Sequence, residues 1–72
     1  MTATPFGLSE LQREVLDLTA AGHSVATIAH MLWKSIPTIR YHHKVLKRYF
    51  GVDSIPEVLE KARLWDMLPE MS

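Results

Sequence analysis

The residues best suited to chemistry form one short cationic block. Lys34, Arg40, Lys44, Lys47 and Arg48 fall between Lys34 and Phe50 with no acid among them, and His42 and His43 share the stretch. The rest of the chain holds all eight Asp and Glu but only Arg13, Lys61 and Arg63 as bases. A formal net charge of zero therefore conceals a segment of +5 set against a remainder of −5. Charge gathered in this way either solvates a helix face or neutralises the phosphates of a nucleic acid.

Other chemistries find no support. The chain has no cysteine, which excludes a disulfide, a thiol nucleophile and a thiolate metal site. His42 and His43 are adjacent, so on a helix they diverge by about 100°, and no carboxylate lies at ligand spacing. No metal or other cofactor is expected: His42 reads as a core-edge histidine, and His23 and His30 as loop or surface residues. There is no glycine-rich phosphate loop, no paired carboxylates in a plausible cleft and no nucleophile beside a base. Seventy-two residues leave little room for a closed pocket, so neither catalysis nor a small-molecule substrate is expected. The longest apolar run is Met31-Leu32-Trp33, too short for a membrane span or a signal-peptide core, and the expected location is the cytoplasm.

The elements that must position the block are helices. Apolar residues at 47% and charged residues at 22% are ordinary globular usage, and the length suits one small domain. Leu8, Leu11, Val15 and Leu18 recur at helical spacing behind a capping box, Ser9-Glu-Leu-Gln12, and Gly22 supplies a stop. Ser24 caps a second helix with Val25, Ile28, Ala29 and Leu32 on one stripe. Ser35 caps a third, with Pro37 in its first turn and Gly51 at its end. There Ile39, His42, His43, Leu46 and Phe50 share one side, while Pro37, Tyr41, Lys44 and Arg48 lie opposite, flanked by Arg40 and Lys47. Ser54-Ile-Pro-Glu57 opens a fourth helix. Four of the five serines thus stand at N-caps, and no segment alternates with period two. The reading is all-α with four helices, about 9–21, 24–33, 36–50 and 55–68, in a domain over 8–68 with tails 1–7 and 69–72.

A short helix, a tight turn and a second helix with a basic outer face make a helix-turn-helix arrangement. The major groove is about 12 Å wide and admits one α-helix, while the preceding helix braces across the backbone.

The chain resembles the LuxR/GerE-type helix-turn-helix domain, also found in NarL-like response regulators. The residues that carry the likeness are Leu8-Ser9, Glu14-Val15-Leu16, Leu18, Ala20, Gly22, Ser24, Ile28-Ala29 and Leu32. It continues through Ser35, Thr38-Ile39-Arg40, His42, Leu46 and Gly51-Val52, in register from residue 8 to about 62 without a gap. Sigma-factor region 4 shares the first half, whereas Gly51-Val52 before a fourth helix favours the LuxR/GerE type.

The resemblance implies that bases are read from Pro37, Arg40, Tyr41 and Lys44, and phosphates met near Ser35, Thr38, Lys47 and Arg48. For Arg40 a bidentate pair with guanine is favoured over a solvated surface arginine. Tyr41 stands between a base or sugar contact and a partly packed ring. The resemblance also implies a homodimer through the last helix, presenting two recognition helices to two half-sites. Leu64, Met67, Leu68 and Met71 fall off that helix's core stripe of Ile55, Val58, Leu59, Ala62 and Trp65, and supply surplus apolar area for a dimer or partner interface. The family prefers a small residue where Trp33 stands, and packing against the base of the third helix is the favoured reading of that indole.

Two functions follow. The first is a sequence-specific double-stranded DNA-binding transcriptional regulator, bacterial or phage-encoded and acting as a homodimer. As a stand-alone domain it would be controlled by its own abundance or by a partner. The second is an interaction module that keeps the fold but grips a transcription factor or RNA polymerase as an anti-activator or adaptor. Neutral net charge, Pro37, Trp33 and the apolar C-terminus favour the second; the acid-free basic face favours DNA.

Overall fold

The computed structural model describes residues 8–65, which fold as four helices with no strand among them: α1 Glu10–Ala20, α2 Val25–Leu32, α3 Ile36–Phe50 and α4 Ile55–Leu64. Each helix opens on a serine in extended backbone whose hydroxyl accepts the N–H three residues on. At α1 the box is reciprocal, because Gln12 Oε1 accepts the Ser9 N–H at 3.2 Å. At α4 the return arm is displaced by one residue. The Glu57 carboxylate accepts from the Asp53 N–H at 3.2 Å and from the Ser54 hydroxyl at 3.1 Å.

The ends of α1, α2 and α3 follow one pattern. The N–H of His23, Lys34 and Val52 each reaches back five residues, to the carbonyls of Leu18, Ala29 and Lys47 respectively. This closure needs a left-handed residue at the turn. Gly22 and Gly51 fill that position at the ends of α1 and α3, with φ of 98° and 70°.

α3 is the central element, packed against α1, α2 and α4. Ile39, Leu46 and Phe50 are buried along one side of it. They meet Leu8, Val15 and Leu16, then Ile28 and Ala29, then Val58 and Ala62. In α1 the fully buried pair is Val15 and Leu16, while Leu11 and Leu18 of the expected stripe are only half-buried against the core. The buried face of α1 thus takes in Leu16, which the expected stripe leaves out.

α4 ends at Leu64 with Trp65 at its C-cap, whereas the sequence reading carries it to about Leu68. Met67, Leu68 and Met71 lie outside the described residues. Contacts from α4 and its C-cap join the core packing in holding this helix to the end of α3. Lys61 Nζ donates to the Phe50 carbonyl at 3.3 Å, and the Trp65 ring sits 4.9 Å from that of Phe50.

Candidate nucleic-acid interface

Burying Ile39, Leu46 and Phe50 fixes the rotation of α3, and the rotation decides what faces outward. Pro37, Arg40, Lys44 and Arg48 are exposed, and Tyr41 is 60% exposed. The Tyr41 ring meets His42 edge-on at 5.5 Å, so it is exposed and partly supported at once. Lys47 is half-buried at the flank. Pro37, Arg40, Tyr41, Lys44 and Lys47 line one shallow open groove, joined by His43 and by Ile55 from the first turn of α4. Ile55 belongs to the core stripe on the sequence reading; its place on the rim of this groove follows from the crossing of α3 and α4, which spacing within one helix does not encode.

At the amino end of α3, Ser35 is exposed and Thr38 half-buried. Their hydroxyls lie 2.8 Å apart, and Ser35 Oγ accepts the Thr38 N–H at 3.3 Å. No acid stands in the first turn of α3, and Lys47 and Arg48 occupy its last turn. The bases in the last turn complement the helix dipole, and the amino end is left as a positive pole without a side-chain anion.

The two histidines sit behind the cationic face. His43 shares a hydrogen bond with Thr19 of α1 at 2.9 Å. Burial, then the charges of Lys47 and His42, hold its pKa below the ordinary imidazole value. His42 is half-buried, with Nδ1 enclosed and unpartnered, and burial and then Lys34 lower its pKa too. Both rings therefore favour the neutral form beside the lysines. His23 and His30 are exposed. Among the described residues no three His, Asp or Glu side chains gather as a metal site, and no helix is long and apolar enough to cross a membrane.

Trp33 departs from expectation. Packing against the base of α3 is the sequence reading, but the indole is 92% exposed, on a left-handed backbone at φ 59° and ψ 41°. Leu64 is also exposed, at 75%.

No curated protein sequence matches the chain. The family described as bacterial regulatory proteins, luxR family, matches residues 7–62 of the 72. That span takes in all four N-caps, the α2–turn–α3 unit and most of α4, and the chain belongs to the luxR family of bacterial regulatory proteins.

Proposed function

We propose that the protein is a sequence-specific double-stranded DNA-binding transcriptional regulator that lays α3 in the major groove. One observation carries the reading: α3 is bedded through Ile39, Leu46 and Phe50, and its opposite face presents Arg40, Lys44 and Arg48 without an acid. Arg40, Tyr41, Lys44 and Pro37 stand where base edges would be met. Ser35 and Thr38 at the positive amino end, with Lys47 and Arg48 along the flank, suit phosphates. Leu64 begins the apolar surface through which two copies pair, and Met67, Leu68 and Met71 extend it on the sequence reading.

Fluorescence anisotropy against a pool of random duplexes, repeated across a salt series, tests this directly. Expected is micromolar or tighter binding whose log affinity falls steeply with log salt, as several neutralised phosphates require. Selection from the same pool then yields the half-site and its spacing. Absence of binding at low salt overturns the reading. It would favour the same fold used as an adaptor for a transcription factor or RNA polymerase, to which the exposed Leu64 and the neutral total charge also point.

A further inference from the structure

Trp33 is the one non-glycine residue with positive φ among the described residues. Its backbone closes α2 as Gly22 and Gly51 close α1 and α3, with the Lys34 N–H bonded to the Ala29 carbonyl at 2.9 Å. The left-handed conformation strains an L side chain, and glycine avoids that strain. A buried indole could offset it, but Trp33 is 92% exposed. Within the isolated chain this residue is strained and gains nothing from packing. Strain of that kind at a surface turn points to a contact made in a bound state.

The position of the turn says which contact. In helix-turn-helix docking the first helix crosses the DNA backbone and the second enters the groove, so the turn between them passes the groove's rim. Trp33 is followed by Lys34 and by the hydroxyls of Ser35 and Thr38, and no acid occurs from residue 34 to residue 52. Exposed Met31 and Ile36 flank it, at 44% and 39%. An apolar surface bordered by one lysine and two hydroxyls is complementary to a sugar–phosphate strand, which alternates apolar deoxyribose carbons with anions. An indole can cover the sugar and donate its Nε1–H to a phosphate oxygen.

We propose that Trp33 is a DNA-contact residue, packing its ring on the deoxyribose–phosphate backbone at the rim of the groove that α3 enters. This rests on the DNA-binding reading above. The contact adds affinity without neutralising a phosphate charge, and so without releasing a counterion.

The test compares the parent chain with Trp33→Gly, and with Trp33→Asn as a second residue that tolerates the left-handed backbone. Thermal melts are run beside duplex titrations over a salt series. Expected is a higher Tm for Trp33→Gly together with about tenfold weaker duplex binding, equivalent to about 1.4 kcal/mol, and an unchanged salt slope. In a Trp65→Phe background, Trp33 emission should change on adding duplex. A parent that binds no duplex overturns both readings. A parent that binds while Trp33→Gly and Trp33→Asn bind within twofold, with Trp33 emission unmoved, overturns this inference alone and leaves the indole to a protein surface. Loss of stability in Trp33→Gly would overturn the strain argument on which the inference stands.

Discussion

Thr19 Oγ1 and His43 Nε2 lie 2.9 Å apart and tie α1 to α3. The Thr19 hydroxyl is also 2.7 Å from the Val15 carbonyl. A hydroxyl has one proton, and a carbonyl can only accept, so Thr19 donates to Val15 and His43 donates to Thr19 through Nε2–H. The bond survives whether the ring is neutral or protonated. Protonation instead places a charge in a half-buried site beside Lys47, and the same argument holds for His42 beside Lys34.

A pH dependence of stability follows from the direction of both shifts. When the folded pKa lies below the unfolded one, the unfolded chain binds protons first as pH falls. Stability is therefore complete above the unfolded imidazole pKa of about 6.5 and declines as pH drops through the lower folded values. The midpoint of thermal melting, followed by circular dichroism, should hold steady near pH 8 and fall on acidification below about 6.5. His43→Gln keeps a donor for Thr19 but removes the titration, and should flatten the upper part of that decline. A midpoint that rises on acidification, or an unaltered profile in the variant, contradicts the assignment.

Local order in this chain is readable from local chemistry. The serine caps, the glycine stops after α1 and α3 and the 3.6-residue stripes depend on neighbours within a turn or two. Residue types and spacing therefore identify four helices and the outward side of α3. What spacing cannot supply is the distance between elements. The Thr19–His43 bond spans 24 positions and the Lys61–Phe50 bond spans 11, and neither has a motif that announces it. The exposure of Trp33 was hidden for a different reason. Left-handed helix ends are usually marked by glycine, and a tryptophan in that place looks like core. The outward face of α3 was legible in the same way as its caps, while the presence of Ile55 on the groove rim depends on how α4 crosses α3.

Gly51 gives a clean measure of the backbone contribution. Its φ is 70°, and a Cβ built there meets nothing within 4 Å. Gly51→Ala therefore introduces strain without a clash, and should cost about 1–2 kcal/mol. For a domain this small each kcal/mol lowers the melting midpoint by about 4–8 °C. Chemical denaturation of the variant checks the value; an unchanged midpoint would show that the left-handed conformation is not required there.

The apolar surface of α4 makes a prediction about assembly. Leu64 is 75% exposed, so Leu64→Glu should alter stability by less than about 0.5 kcal/mol, as surface substitutions usually do. If two copies pair through this face, the charge should shift sedimentation equilibrium toward the monomer. It should also reduce affinity for a two-half-site duplex more than for a single half-site, because only the former draws on both copies. A variant that sediments as the parent does removes Leu64 from the interface.

Arg40 and Lys47 should separate reading from gripping. Arg40 is exposed one turn into α3, and Arg40→Ala should relax base preference at one position of the selected site by about 1–3 kcal/mol. Lys47 is half-buried at the flank and its charge lowers the His43 pKa. Lys47→Ala should weaken all duplexes alike and reduce the salt slope by about 1. It should also let the His43 pKa rise, which proton NMR of the imidazole can follow independently of DNA. Equal binding of every duplex by both variants and the parent would mean that this face of α3 does not meet DNA. A raised His43 pKa with an unaltered salt slope would keep Lys47 beside the histidine and take it away from the phosphates.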